Sequence, residues 1–184
     1  MENIKLSSRI YRHLYNATAN PTPIRKNCGE LCGRACCRPA PRGELGIYLF
    51  PGEETMFSRR ENWLTWEEHD PVEHGFPVSW NEPVYFVRCS GSCPREMRPL
   101  ACRFFPLAPH LNRDGSLRLI YETLDLPYRC PLITSGTPLE PRFINMVETA
   151  WEILLRDRRI GDLVREDSRL REENGLPVQV VSRA

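Results

Sequence analysis

Apolar residues recur at helical spacing near both ends of the chain. The first stripe predicts an amphipathic helix over residues 4–17. The clearest stripe lies in the C-terminal third and consists of Leu139, Phe143, Met146, Val147, Ala150, Trp151, Leu154 and Leu155. A one-sided apolar pattern of this length is typical of a helix that packs against a core. We therefore predict a scaffold helix here, without a role in binding a cofactor.

The limits of the C-terminal helices can also be predicted. Thr137 and Glu140 have the spacing of a capping box, and Pro138 would occupy the first helical position. Gly161 predicts the end of this helix and the start of a shorter, charged helix to about residue 174.

Strand patterns are limited to the middle of the chain. Residues 46–50 and 83–89 predict short strands, and the second ends at Cys89. Residues 106–124 predict a β-hairpin, because apolar positions flank an Asp-Gly turn pair. Residues 53–69 have a weaker pattern that favours a helix. The chain thus predicts an α+β fold: a small, loop-rich domain with a short antiparallel hairpin or sheet and supporting C-terminal helices.

These elements predict one domain that spans residues 1–184. Its parts are an N-terminal helix (1–19), a cysteine-bearing core (20–135), helical support (136–175) and a tail (176–184). The core begins with a proline- and glycine-rich stretch in which only turns and at most one helical turn can form. The tail, "LPVQVVSRA", fits either a final strand or a disordered segment.

Charge and hydropathy argue against several classes of function. The 25 Lys and Arg residues nearly balance the 24 Asp and Glu residues, which argues against a protein that grips nucleic acid. No apolar run approaches the roughly 20 residues that span a bilayer. The first 19 residues mix charges with apolar side chains and lack the core of a secretion signal. We therefore expect a cytoplasmic protein that binds neither nucleic acid nor a membrane; its oligomeric state stays open.

Cysteine is the main chemical signal in this sequence. The eight cysteines are Cys28, Cys32, Cys36, Cys37, Cys89, Cys93, Cys102 and Cys130. A disulfide framework, a zinc site, an iron–sulfur cluster and a redox-active thiol group are the alternatives. Structural disulfides are rare in a reducing cytosol, and the cysteine density is below that of small secreted scaffolds. A disulfide framework is therefore the least favoured alternative.

The spacing of the first four cysteines favours iron–sulfur over zinc. The pattern "CGELCGRACC" has no pair with the two-residue gap common in zinc sites. Gly29 and Gly33 let the backbone approach closely and free N–H groups to bond sulfur, which suits a cluster. Cys36 and Cys37 are adjacent, so one of them is expected to face a different partner or a second metal.

The downstream segment "CPREMRPLACRFFP" adds a more specific pattern. Together with the first cysteine group, it resembles the YkgJ-like cysteine-cluster family, described as a zinc- or iron-chelating domain and related to a region of flagellin lysine-N-methylases. The resemblance covers about residues 28–131. The matching positions are Cys28, Cys32, Cys36, Cys37, Cys89, Cys93, Arg98, Pro99, Cys102, Arg103, Phe105, Pro106 and Cys130. It implies metal chelation by this domain, and iron–sulfur, as [4Fe-4S], is favoured over Zn²⁺.

Six arginines lie near the cysteines and could compensate the charge of thiolates. For Arg98 and Arg103, the motif favours hydrogen bonds to sulfur or to an anionic substrate, so both are predicted to bind a cofactor. For Arg34, Arg38, Arg95 and Arg129, solvation or pairing with acids is an equally good interpretation. His69 and His74 could also ligate a metal, although solvated loop histidines are the favoured interpretation.

Three functions follow from this interpretation. The first is an iron–sulfur protein with one or two clusters that does redox or accessory work beside a redox or modification-enzyme partner. The second is a cluster-dependent enzyme, for methyl transfer or redox chemistry, with an open iron site. The third is a protein that uses zinc only to hold its fold together. Whether the protein is an enzyme is left open by the sequence.

Overall fold

The computed structural model describes residues 4–37, 45–90 and 93–181 of the chain. Arg38 and the end of the predicted tail lie outside these ranges. The described part combines helices with small antiparallel sheets, so the predicted α+β class is confirmed. None of the helices in these ranges is both long enough and apolar enough to cross a membrane.

The described elements alternate along the chain. The helices are α1 (Ser8–Ala17), α2 (Gly29–Cys32), α3 (Leu100–Phe104), α4 (Pro131–Thr134), α5 (Pro141–Leu154) and α6 (Arg158–Glu173). The strands are β1 (Ile47–Tyr48), β2 (Leu64–His69), β3 (Val84–Cys89), β4 (Leu107–Leu111) and β5 (Leu117–Tyr121). Short 3-10 turns occupy Ala35–Cys37, Glu53–Met56 and Arg95–Met97.

The first sheet has three antiparallel strands in the order β1-β3-β2. Strand β3 lies in the centre, and Val87 pairs with Ile47 on one side and with Trp66 on the other. Val84 and Val87 are buried, as expected for β-branched residues in a central strand. The predicted strands at 46–50 and 83–89 are confirmed.

The predicted helix over residues 53–69 is wrong. The segment forms a 3-10 turn, Glu53–Met56, and then strand β2. Leu64 pairs with Cys89 and His69 with Val84, so β2 covers the whole length of β3. Sheet pairing at long range overrides the weak helical pattern, because an unpaired central strand would leave its backbone groups without partners.

The predicted hairpin is confirmed. Strands β4 and β5 pair from Leu107 opposite Tyr121 to Leu111 opposite Leu117. Gly115 has a φ of +83°, which a glycine adopts without strain, and the Asp114 carboxylate accepts a 2.8 Å hydrogen bond from the next residue but one. The predicted tail extends this sheet by a single bridge between Ile120 and Val180.

Both C-terminal helices exist, but their predicted starts are wrong. Helix α5 begins at Pro141, and no side chain caps it; Thr137 instead contacts Ser135. Helix α6 begins before Gly161 because the buried carboxylate of Asp157 accepts a 3.0 Å hydrogen bond from the Arg159 N–H.

Two buried tyrosines attach helix α1 to the segment between β1 and β2. It begins at Ser8, later than predicted, and buries its tyrosines. The Tyr11 hydroxyl donates to the carbonyl of Pro51 at 2.9 Å, and the Tyr15 hydroxyl donates to Glu53 at 2.8 Å. The fully buried side chains that surround these contacts include Leu14, Leu100, Phe104, Phe143, Val147 and Leu154. The cysteine-bearing segments lie at the edge of this core.

Candidate thiol site

Three segments of the described chain carry the cysteines. Cys28 precedes α2, Cys32 ends it, and Cys36 and Cys37 follow on a 3-10 turn. The second segment carries Cys89 at the end of β3, Cys93 before the turn Arg95–Met97, and Cys102 within α3. Cys130 is the residue that precedes α4. All eight are free thiols.

A double left-handed turn directs the chain from α2 to Cys36 and Cys37. Gly33 and Arg34 both have a φ of +60°, and the Arg34 N–H donates a 2.8 Å hydrogen bond to the carbonyl of Gly29. A Cβ on Gly29 would lie only 2.7 Å from Cγ of Arg34. The glycines therefore permit a tight turn here, as the sequence suggested. The Gly33 N–H, however, donates to the carbonyl of Gly29 and not to a sulfur.

Seven thiols are close enough to influence one another's ionisation. Cys28, Cys32 and Cys130 form one such set, and Cys36, Cys37, Cys93 and Cys102 form a second. Cys36 connects them, because it also feels Cys28 and Cys32. The second set, called the Cys37 group below, contains the direct contacts between thiols.

The direct contacts within the Cys37 group are pairwise. The sulfurs of Cys36 and Cys37 lie 3.8 Å apart, within hydrogen-bonding distance. Cys37 and Cys93 lie on different cysteine segments and shift each other's pKa. The observed sulfur–sulfur contact is therefore the pair of Cys36 and Cys37.

The predicted function as a metal-binding, iron–sulfur protein is wrong. Within residues 4–37, 45–90 and 93–181, which contain every cysteine, no group of three or more His, Cys, Asp or Glu side chains could hold a metal ion. An iron–sulfur cluster and a structural zinc ion both need four ligands that converge on one centre. Pairwise thiol contacts do not supply such a centre, which also removes the two alternatives based on zinc and on an open iron site.

The interactions among Cys36, Cys37 and Cys93 determine which of the three thiols ionises first. The bond from Cys37 lowers the pKa of Cys36, against the opposing effect of desolvation. The same bond raises the pKa of Cys37, and the nearby Cys37 thiol together with desolvation raises the pKa of Cys93. Protons are therefore held on Cys93 and Cys37, and Cys36 ionises first. Cys36 is also the most exposed of the three.

Arg98 lies close enough to Cys37 and Cys93 for their charges to affect its pKa. Its Nε is buried without a hydrogen-bond partner. Desolvation acts to lower the pKa of Arg98, but the charges of Cys37 and Cys93 raise it overall. The structure therefore places Arg98 near the thiols, and its predicted role in binding a cofactor stays a prediction.

Arg103 is buried and faces backbone instead of sulfur. Its guanidinium donates to the carbonyls of Arg98 at 2.8 Å, Tyr15 at 2.8 Å and Glu96 at 2.5 Å, and to the Thr18 hydroxyl at 2.9 Å. It also lies 4.2 Å from the centre of the Tyr15 ring. These contacts fasten helix α1 to the segment that carries Cys93 and Cys102.

Glu53 is a residue of the site that the sequence did not reveal. Its side chain is completely buried and accepts hydrogen bonds from the N–H groups of Phe50 at 2.9 Å and Leu100 at 2.7 Å. Desolvation raises its pKa. The bond to Leu100 holds the start of α3, and with it Cys102. In the sequence, Glu53 and half-buried Glu54 are both acids after a Pro-Gly turn, so no pattern distinguishes them.

His69 and His74 lie away from the thiols and are not solvated singly. Their rings stack at a centroid distance of 4.1 Å, and the Nδ1 atoms lie 2.9 and 3.0 Å from the Tyr48 hydroxyl. Glu67 hydrogen-bonds His69 and also pairs with Arg88. This arrangement stabilises one face of the first sheet.

Comparisons with known proteins found no match: no family model, no curated protein and no solved structure is similar to this chain. The resemblance to the YkgJ-like family therefore stays a prediction.

Proposed function

We propose that this chain is a cytoplasmic thiol–disulfide redox protein in which Cys36 is the attacking thiol and Cys37 the resolving thiol. The observation that carries the proposal is the 3.8 Å contact between the two sulfurs, with Cys36 at the exposed end. The substrate class is an accessible disulfide, on a partner protein or on a small molecule. A reducing thiol pool would return the pair to the dithiol state.

The first step is attack by the Cys36 thiolate on one sulfur of the substrate disulfide. A bond forms between Cys36 and that sulfur, the substrate's own S–S bond breaks, and its other half leaves as a thiolate. The hydrogen bond from Cys37 lowers the pKa of Cys36, so a larger fraction of Cys36 is thiolate at neutral pH.

The second step is attack by Cys37 on the Cys36 sulfur. The mixed disulfide breaks, the remaining half of the substrate leaves as a thiolate, and an internal disulfide forms. The substrate has gained two electrons and the protein has lost two, so the reaction balances without a further oxidant. The contact between the sulfurs already provides the approach that this step needs.

Oxidised glutathione, added at one equivalent, tests this function. We expect the wild-type protein to lose two free thiols and to retain no glutathione, as read by intact mass. Cys37→Ser lacks the resolving thiol and should retain one glutathione on Cys36. Cys130→Ser is the matched control, since serine is a favoured residue before a helix. It should behave as the wild type. Unchanged thiols in the wild type, or the same retained glutathione in the wild type and Cys37→Ser, would refute the proposal.

A further inference from the structure

Two aromatic rings of the first sheet hold the side chain of an arginine. The guanidinium carbon of Arg59 lies 4.5 Å from the centre of the Tyr85 ring and 5.2 Å from the centre of the Trp66 ring. We propose that these two rings, called the aromatic corner below, bind an arginine side chain of a partner protein, and that Arg59 occupies the corner as an internal competitor in the free chain. The proposal shares no residue with the thiol site and goes beyond the redox function.

The register of the sheet creates the corner. Trp66 of β2 pairs with Val87 of β3, and Tyr85 lies two residues before Val87 on the same face of the sheet. The two aromatic side chains are therefore diagonal neighbours. Their ring centres lie 6.1 Å apart, and the ring planes cross at 71°. A cation is attracted by the face of an aromatic ring within about 6 Å of its centre, so the corner offers two such faces to one guanidinium.

Phe57 supports the Trp66 side of the corner. Its buried ring lies 5.6 Å from the Trp66 ring, and the two planes cross at 75°. Trp66 itself is half-buried and stands on a strand that is paired along its whole length. Little side-chain entropy is lost when a ligand enters a site whose walls are already held in place. The corner is thus preorganised for a cation.

Arg59 occupies the corner in a strained backbone conformation. Its φ is +61°, in the left-handed region that disfavours residues with a Cβ, and Arg34 is the only other non-glycine residue of the described ranges with a positive φ. Glu61 holds this turn, because its Oε1 accepts hydrogen bonds from the N–H of Ser58 at 2.7 Å and from the Ser58 hydroxyl at 2.9 Å. Strain of this kind persists where surrounding contacts offset it and is concentrated at ligand sites and switches.

An ion pair would hold Arg59 in the corner more firmly, but none is formed. Over residues 4–37, 45–90 and 93–181, no carboxylate lies within salt-bridge distance of its guanidinium. Arg59 is also exposed to solvent. A partner arginine can therefore replace it without breaking a salt bridge, and the strain at residue 59 is released when it leaves.

Two buried polar atoms indicate what an external ligand would add. Within the described part of the chain, Oε2 of Glu61 and Nε1 of Trp66 are buried and have no hydrogen-bond partner, although buried polar atoms are normally paired. Oε2 can accept from guanidinium N–H groups, and the indole N–H can donate to a peptide carbonyl. An arginine within a partner protein carries both groups, whereas Arg59 satisfies neither atom.

The chemistry of the corner favours arginine over lysine. A guanidinium is planar, stacks on aromatic faces and presents a fork of donors to a carboxylate, whereas an ammonium is compact and more strongly hydrated. The group that occupies the corner in the free chain is itself a guanidinium. The partner is therefore a protein that presents an exposed arginine.

A peptide titration on the whole chain in its reduced form tests the site. The probe is acetyl-Gly-Arg-Gly-amide, and the readout is the nitrogen–proton NMR signal of the Trp66 indole, identified by its loss in Trp66→Phe. Arg59→Gly removes the competitor, and glycine adopts the φ of +61° without strain. We expect this variant to bind the peptide about tenfold more tightly than the wild type. Arg60→Gly is the matched control, since it removes the neighbouring exposed arginine and should bind as the wild type does.

Three further measurements define the ligand. The same peptide with citrulline in place of arginine keeps the shape but lacks the charge, and it should not shift the signal. Tyr85→Leu, combined with Arg59→Gly, removes one ring and should weaken binding of the arginine peptide. Free arginine lacks the flanking peptide groups and should bind more weakly than the peptide.

Each contrary outcome overturns a stated part of the proposal. An unchanged Trp66 signal in Arg59→Gly, at peptide concentrations up to about 10 mM, would refute the binding site. Equal affinities of the wild type and Arg59→Gly would refute the role of Arg59 as competitor. A citrulline peptide that binds equally well would show that the corner does not recognise a cation. Free arginine that binds as tightly as the peptide would assign the corner to a small molecule. The thiols stay reduced throughout, so none of these results depends on the redox function.

Discussion

Glu53 accepts a 2.7 Å hydrogen bond from the backbone N–H of Leu100, the first residue of α3. This contact places a completely buried carboxylate directly behind the helix that carries Cys102. A second oxygen accepts the N–H of Phe50, and the Tyr15 hydroxyl completes the set. The position of Cys102 therefore depends on an acid that lies far from it in the sequence.

Glu53→Gln should destabilise the protein near neutral pH. An amide presents a donor where one carboxylate oxygen now accepts, so the N–H of Phe50 or Leu100 would lose its acceptor. An unsatisfied buried donor costs about 1–3 kcal/mol. The free energy of unfolding in urea measures the effect, and Glu54→Gln is the matched control. Equal stability of the two variants would contradict this role for Glu53.

The pH dependence of the same variant follows from the raised pKa of Glu53. A raised pKa means that the folded state binds more protons than the unfolded state above the unfolded value of about 4.3. The stability that Glu53 contributes is therefore present below that pH and declines as the pH rises towards the folded pKa. We expect the difference in unfolding free energy between wild type and Glu53→Gln to shrink from pH 4.5 upwards. A difference that grows with pH would contradict the assignment.

Arg103→Lys should destabilise the fold although it keeps the charge. Lysine cannot reproduce the planar fork that reaches Tyr15, Glu96 and Arg98 at once, so buried carbonyls would lose their donors. We expect a loss of about 2–4 kcal/mol in unfolding free energy, from two or three lost hydrogen bonds. Arg98→Lys is the control and should cost much less, since the Nε of Arg98 has no hydrogen-bond partner to lose. Similar losses in both variants would contradict this division of roles.

The double turn after α2 can be tested at Gly33. An L-residue at its φ of +60° costs about 1–2 kcal/mol, so Gly33→Ala should destabilise the protein and displace the Cys36–Cys37 pair. Gly75→Ala is the matched control, because Gly75 also has a positive φ, of +72°, with open space around a Cβ. Both variants should lose similar stability, but only Gly33→Ala should slow internal disulfide formation. An equal rate in the two would show that the turn does not position the thiols.

The elements that depend on residues close together in the sequence were predicted correctly. The stripe that includes Phe143 and Val147 produced α5, and the Asp-Gly pair produced the β4–β5 hairpin. Strand β2 was missed because its pairing with β3 joins residues that lie far apart along the chain. The start of α6 was missed because the cap, Asp157, was not distinguished from other acids.

The sequence identified the cysteines and the arginines near them, but it did not reveal Glu53 or the contacts between the thiols. The structure places Arg98 near Cys93 and directs Arg103 to backbone carbonyls. Which sulfurs touch depends on the left-handed turn after α2 and on the docking of α3, and neither leaves a periodic signal. The contacts of Cys37 therefore became visible only in the fold, and they favour disulfide exchange over the metal chemistry that spacing suggested.

The last prediction concerns the reactivity of Cys36. Its pKa is lowered chiefly by the hydrogen bond from Cys37, and the thiolate is the form that reacts with iodoacetamide. In the reduced protein, Cys36 should therefore be alkylated first, with a rate that rises through a pKa below the usual value of about 8.5.

Cys37→Ala removes the donor, so the pKa of Cys36 should rise. The rate of alkylation at neutral pH should fall as a result, because a smaller fraction of Cys36 is thiolate. Cys93→Ser keeps that donor and should leave the Cys36 profile near that of the wild type. The rate is read from the mass of the peptide 35–42 over a series of pH values. A Cys36 profile that is unchanged in Cys37→Ala would show that the contact between the two sulfurs does not activate Cys36, and the attacking thiol would then have to be sought elsewhere in the Cys37 group.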